Sequence, residues 1–423
     1  MSSMRSTGTG CEEVVDILTV LCRLFCIHQQ RRLGLTYARL ALMSLMLPTG
    51  NSGELSLADV FPSCLAALGV ESFSNVANLP AARAAIVVLV DGLGSLNLRA
   101  AQGHARFLAS KTSKTSHART VFPSTTAAAL ATLTTGVWPS EHGMLGYKIR
   151  DPRSGQVINQ LNGLGAISDL ESWMRARPLY SAAEKAGVDP YVVSHPRFES
   201  TPLTQLLHAG ATKVNAGSID DRFREARRLV SAPGRKLVVV YISELDEIAH
   251  KQGVNSSDWA ANLEVVDSGL RNLSAELPGD VGVVITADHG VIDIPASKQL
   301  LFGDDPKLMA DVAGIGGEPR GIQLYLKPGV DAGVVASSWR EDFGAYAWVL
   351  TREEAISQGL FHDMNPDLAE RLGDVMIIAR KDVVFYDARD STLSGRQMIG
   401  QHGGLSDAEM RIPLLRLGAF SGD

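Results

Sequence analysis

Residues 84–94 read AAIVVLVDGLG: small and branched apolar residues that stop at Asp91 and run straight into glycines. An unbroken apolar run of this length, without polar alternation, predicts a strand buried on both faces, as in a parallel sheet covered by helices. Two other stretches repeat the pattern. KLVVVYIS (236–243) runs into ELDEIAH, and VGVVIT (281–286) runs into ADHG. Between and around them lie helical patterns: LADVFPSCLAALG (57–69), TTAAALATLTTG (125–136), PLYSAAEKAG (178–187), DRFREARRLV and DWAANLEVVDSGLRNLSAEL (258–277). Strands alternating with helices predict an α/β fold built on a mostly parallel sheet. Residues 300–395 are more mixed. IQLYLK, AYAWVL and DVMIIAR predict strands there and REEAISQGL a helix, so a small inserted α+β subdomain is expected.

The chain has 423 residues and a net charge of −6, with 45% hydrophobic and 20% charged residues. That length fills a core without disulfide staples, and the mild acidity argues against a nucleic-acid surface. The four cysteines, Cys11, Cys22, Cys26 and Cys64, form neither a disulfide framework nor a zinc-finger spacing, which fits a reducing compartment. VVDILTVLCRLFCI is apolar, but it is short and contains Asp16 and Arg23, whereas a membrane span needs about 20 mostly apolar residues. Glu12 and Glu13 sit where a secretory signal would be basic, so a cytoplasmic location is expected. Residues 1–47 are expected to be an extension, with Met43 or Met46 as the true start; the rival is an amphipathic helix that binds a partner.

Each of the strongest strands ends in acid or histidine: Asp91 after the first; Glu244, Asp246, Glu247 and His250 after the second; Asp288 and His289 after the third. In a parallel sheet these ends share one edge, where open α/β sheets bind ligands. Converging carboxylates and imidazoles need a compensating cation, and Asp with neutral His suits Zn²⁺ or a similar ion. Asp246 and His250 are spaced to share one face of a helical turn. Asp288 and His289 are adjacent and point to different sides, so they could serve two ions. His402, in IGQHGGLSD, sits among glycines that permit close backbone approach. Taken singly, each of these has a bland reading as a turn former, a helix cap or a loop residue. Their joint placement at strand ends favours metal.

VFPSTTAAALATLTTGVWPSEHG (121–143) puts Ser124, Thr125 and Thr126 at a helix N-terminus. There, free N–H groups and the helix dipole favour an anion. Plain N-capping is the alternative.

The order VDG, FPSTT…TTGVWPSEHG, ELDEIAH, ADHG, QHGG resembles the alkaline phosphatase superfamily, and within it the type I phosphodiesterase/nucleotide pyrophosphatase family, over roughly residues 84 to 415. The resemblance implies a three-layer α/β sandwich with residues 50–423 as the catalytic domain. It implies two divalent ions, usually zinc, flanking Thr126 as nucleophile. One would be held by Asp91, Thr126, Asp288 and His289, and the other by Asp246, His250 and His402. The expected activity is hydrolysis of phosphodiester or pyrophosphate bonds in a small phosphorylated substrate, nucleotides included, through a phosphothreonyl intermediate. Other readings are a phosphomonoesterase, phosphonate hydrolase or phosphomutase of the same superfamily, or a non-catalytic metal-stabilised binding protein.

Two departures bear on substrate. Tyr147 stands where the family places a phosphate-binding Asn; its phenol can donate one hydrogen bond, or the ring can simply pack. Residues 127–129 are alanines where a base-stacking aromatic is usual. Other features are read as incidental. DGLGSLN fails as a dinucleotide fingerprint, since Asn97 replaces the third glycine and Asp91 would repel a pyrophosphate. SAPGR (231–235) matches a sulfatase pattern but precedes a strand and reads as a turn. His142 is expected to position its loop. Arg197 and Arg320 could reach a phosphate, but solvated loop roles are the default.

Overall fold

The strands and helices of this computed structural model arise directly from the apolar runs. It describes residues 47–48, 53–390 and 393–421. The extension expected at the N-terminus, its alternative start sites and three of the four cysteines lie outside the described residues, apart from Leu47. The strands of the central sheet, numbered along the chain, are β1 (Ala84–Val90), β2 (His117–Arg119), β3 (Val188–Ser194), β4 (Thr212–Asn215), β5 (Arg235–Ile242), β6 (Val281–Thr286) and β7 (Arg411–Gly418). Their order is β2-β7-β6-β1-β5-β3-β4. Five of them, β6, β1, β5, β3 and β4, run parallel, and β7 is antiparallel to both its neighbours. Every residue of β1 and β6 is buried, as strands covered on both faces require.

The register sets where the acids lie. Leu89 of β1 pairs with Tyr241 of β5 and with Thr286 of β6. The strands that run into acids are therefore the three central neighbours, and their carboxyl ends are level. The ladder continues one step further, with the Asp91 N–H donating to the Ile242 carbonyl at 2.8 Å.

Helices cover this sheet by burying one stripe each. Ser257–Ala275 buries Trp259, Leu263, Val266, Leu270 and Leu273, at the three- and four-residue spacing of one helix face. Thr126–Thr135 stops at Gly136, whose φ of +71° is left-handed. A side chain at Gly136 would also sit 2.8 Å from Pro62.

A second sheet has four antiparallel strands in the order Val312–Glu318, Gly321–Leu326, Val375–Ala379, Ala347–Thr351. With helix Ala332–Phe343 it encloses a separate apolar cluster around Leu324, Trp339, Val375 and Ile377. AYAWVL enters this sheet in the strand Ala347–Thr351. VAGIGGE was not legible as a strand, because its glycines lack β propensity and the paired neighbour supplies the ladder. Gly316 also passes the Lys148 carbonyl so closely that a Cβ would lie 2.6 Å from it. Among the described residues no helix is long and apolar enough to cross a membrane.

Arg320, in the turn between the first two strands of the small sheet, is fully buried rather than solvated. Its Nε and Nη2 donate to Glu409 at 3.0 and 2.7 Å, and its Nη1 to the carbonyls of Lys381 and Val383 at 2.6 and 2.7 Å. Glu409 precedes β7 and also accepts from the Gly404 N–H, so this pair fixes the loop that carries His402. Burial alone would raise the Glu409 carboxyl, but Arg320 and the hydrogen bonds hold it below its usual value. A depressed carboxyl contributes stability above its unfolded pKa and loses it as pH falls through the folded value. We therefore predict that Arg320→Met, which strands a buried carboxylate, costs about 3–5 kcal/mol in urea unfolding at neutral pH. The deficit should shrink on acidification. A loss under about 1 kcal/mol would show that the pair does not hold this junction.

Candidate metal centre

The level strand ends bring the acids together. Asp91 follows β1, Asp246 and His250 lie on the helix Glu244–Gln252 that follows β5, and Asp288 and His289 follow β6. Potential ligand atoms of Asp91, Asp288 and His289 lie within 4.8 Å of one another, and so do those of Asp246, His289 and His402. His289 thus stands between the two groups. Its Nε2 is 3.6 Å from Asp91 Oδ1, 3.4 Å from Asp288 Oδ2 and 3.3 Å from the hydroxyl of Thr126. His250 Nε2 lies 3.1 Å from Asp246 Oδ2, and His402 Nε2 3.9 Å from Asp246 Oδ1.

Each carboxylate has one oxygen engaged and one left over. Asp91 Oδ2 accepts from the Tyr241 hydroxyl at 2.5 Å. Asp288 Oδ1 accepts from the N–H groups of Gly92 and His289 at 3.1 and 2.9 Å. Asp91 Oδ1, Asp288 Oδ2 and Asp246 Oδ1 are buried without a hydrogen-bond partner among the described residues. Buried oxygens are almost always satisfied, so three orphans facing imidazole nitrogens fit a cation.

The imidazoles are set for the same task. His250 Nδ1 pairs with the Gly400 carbonyl at 2.8 Å, His402 Nδ1 with the Ser124 carbonyl at 2.8 Å and His289 Nδ1 with the Gly290 carbonyl at 3.3 Å. A carbonyl can only accept, so each Nδ1 carries a proton and each Nε2 is turned inward, as metal-ligating histidines are held. Burial pushes His289 down to about 4 and His402 down to about 3, which keeps both neutral. Burial also disfavours the charged form of His250, but the Asp246 carboxylate outweighs it and raises its pKa. Asp246 is held low by its histidine neighbours against the effect of burial. Burial, then Asp288 and Asp246, drive Asp91 well above the carboxylate range, and burial lifts Asp288 to about 6.

Thr126 is the first residue of its helix, and Thr125 at the cap makes no side-chain capping bond. Thr125 therefore does not cap this helix, and among the described residues its N-terminus is left without a side-chain cap. Ser124 has another role. Its hydroxyl donates to the Gly404 carbonyl at 2.8 Å and accepts from the Gly403 N–H at 3.1 Å, which clasps the Thr126 loop to the His402 loop.

A family model for type I phosphodiesterase / nucleotide pyrophosphatase matches residues 85–405. The chain belongs to this family. It is thus a metal-dependent phosphoric ester hydrolase, a phosphodiesterase, pyrophosphatase or relative within the alkaline phosphatase superfamily. The fold agrees with solved structures. Murine ectonucleotide pyrophosphatase/phosphodiesterase 5 is 19% identical with a TM-score of 0.60, covering 79% of this chain and 88% of that one. Phosphonoacetate hydrolase from Sinorhizobium meliloti 1021 is 20% identical with a TM-score of 0.60, covering 80% and 91%. The human counterpart of the murine protein is 17% identical with a TM-score of 0.60, covering 80% and 90%.

Other residues singled out in the sequence fall outside the cluster. Arg197 donates to Glu247 and to the Ser243 hydroxyl, so it is engaged within the protein. Glu244 pairs with buried Arg222. His142 is buried, with Nδ1 accepting from the Met144 N–H at 3.1 Å and Nε2 donating to the Thr132 hydroxyl at 3.0 Å, so it fixes the loop to the Thr126 helix. Tyr147 is half-buried, and its N–H donates to Glu318 at 3.0 Å. Sequence reasoning missed Tyr241 and Glu318. The signal for Tyr241 was a phenol near the end of an otherwise apolar run; Glu318 had none, since its place depends on the second sheet.

If the cluster binds a divalent ion, the protons that burial favours on Asp91 and Asp288 must leave first. Zn²⁺ affinity, measured by competition with a chromophoric chelator, is predicted to fall as pH drops below about 6. The same affinity at about pH 5 and about pH 7.5 would contradict this.

Proposed function

We propose that the protein is a two-metal hydrolase that cleaves phosphodiester or pyrophosphate bonds in small phosphorylated substrates, with Thr126 as nucleophile. The observation that carries this reading is the Thr126 hydroxyl, at the start of its helix and 3.3 Å from His289 Nε2, the same atom that the partnerless oxygens of Asp91 and Asp288 face at 3.6 and 3.4 Å. Asp91, Thr126, Asp288 and His289 would hold one divalent ion and Asp246, His250 and His402 the other. Zn²⁺ fits this oxygen and nitrogen set, and such ions supply Lewis acidity that lowers a hydroxyl pKa and offsets phosphoryl charge.

The protein's own groups do the rest. Thr126 is fixed in place by its helix, so its oxygen can approach phosphorus in line with the leaving oxygen. The first N–H groups of that helix point at the phosphoryl oxygens. The Oγ1–P bond forms as the bond from phosphorus to the leaving oxygen breaks, the hydroxyl proton leaving through solvent and the leaving group taking one up. Water then enters from the side the leaving group vacated, opposite Thr126, loses a proton and breaks the Oγ1–P bond, and Thr126 is reprotonated. The Ser124 clasp keeps His402 level with Thr126 through both steps.

A second reading is supported by one observation. Ala127, Ala128 and Ala129 are buried and offer no platform for a base, and a similar fold belongs to a phosphonoacetate hydrolase solved with phosphonoformate. A phosphonate or other small phosphoryl compound would need no such platform. The similar murine protein, as an inactive variant, is solved with AMP.

We predict that Thr126→Ala lowers cleavage of bis-p-nitrophenyl phosphate by at least about a thousandfold with the fold intact. Diester over monoester and phosphonoacetate turnover supports the first reading; a phosphonoacetate preference moves the assignment to the second. A Thr126→Ala enzyme as active as wild type would refute Thr126 as nucleophile under either.

A further inference from the structure

Tyr241 is the penultimate residue of β5 and pairs with Leu89 of β1. Side chains two apart on a strand share a face, so Leu89, Asp91 and the neighbouring Tyr241 look the same way. The phenol reaches along the sheet and donates to Asp91 Oδ2 at 2.5 Å. The other oxygen of Asp91, buried and without a partner among the described residues, is the one 3.6 Å from His289 Nε2.

Tyr241 is itself braced. Phe198 meets its ring edge-on, with centroids 5.6 Å apart and planes at 60°. The guanidinium of Arg197 lies 4.6 Å over the Phe198 ring, and Arg197 is pinned by Ser243 and Glu247. The strand pairing does not need this phenol, because the Asp91 N–H already closes the ladder on Ile242. What the phenol controls is the rotation of the Asp91 carboxylate about its last bond, a broad two-fold torsion that would otherwise be loosely set.

We propose that Tyr241 is a positioning residue. By engaging Oδ2 it aims Oδ1 of Asp91 at the ion shared with Asp288 and His289, and it sets the affinity of that ion but not of the other. The inference rests on the two-metal reading above. It makes Tyr241 an outer partner of a ligating carboxylate, a class whose loss typically weakens metal binding about 10–100-fold.

The test is calorimetric titration of metal-stripped protein with Zn²⁺ at neutral pH, for wild type, Tyr241→Phe and Phe198→Leu. Thermal melting of each stripped sample reports folding. The wild type should show two binding steps. Tyr241→Phe should leave one step unchanged and weaken the other about 10–100-fold. Phe198→Leu, which only loosens the brace, should weaken that same step less. Two unchanged steps in Tyr241→Phe would overturn the inference. Equal weakening of both steps would also overturn it, by showing a general structural role. A wild type that takes up no zinc would remove the two-metal reading and this inference with it.

Discussion

Three carboxylates buried at one edge of a parallel sheet, each with an oxygen that has no hydrogen-bond partner among the described residues, are the constraint on which the rest of this structure depends. Burial of an uncompensated carboxylate costs several kcal/mol, and neighbours of like charge add to the cost. In the metal-free chain the relief comes from protons, which is why Asp91 and Asp288 are held above the usual carboxylate range. A divalent cation relieves the same burden without neutralising the groups. The fold creates this burden by geometry: β6, β1 and β5 are adjacent and level, so residues placed directly after them cannot avoid one another.

Around that edge the protein spends its polar groups on orientation. Backbone carbonyls fix each histidine tautomer, backbone N–H groups hold Asp288, and the phenol of Tyr241 holds Asp91. Two remote chain segments are tied in by the Ser124 clasp and by the Arg320–Glu409 pair, which connects the second sheet to the loop of His402. The chemistry of the site thus comes from strand ends, and its alignment from loops locked by buried polar contacts.

Much of this was legible in the sequence for a physical reason. A strand covered on both faces must be continuously apolar, so AAIVVLV, KLVVVYIS and VGVVIT stand out, and the acids that come after them stand out against them. His402 and Thr126 were legible through their glycine-rich and helix-start surroundings, and through the family resemblance. The rest depends on contacts distant in sequence. Whether Arg320 meets solvent, phosphate or Glu409 is decided by where the second sheet lands. The hydroxyl of Ser124 could be read only as a candidate helix cap; its actual partners come from the His402 loop. VAGIGGE becomes a strand only because Gly321–Leu326 lies beside it. RIPLLRLG joins the sheet antiparallel, which its local pattern does not encode.

The measurement that tests the central claim most directly is metal stoichiometry by elemental analysis, on protein stripped, reloaded with excess Zn²⁺ and freed of unbound ion. The proposed arrangement predicts about two ions per chain in the wild type and about one in Asp91→Ala, with the fold retained in both. A wild type that retains no metal, or an Asp91→Ala chain with the full complement, would contradict it.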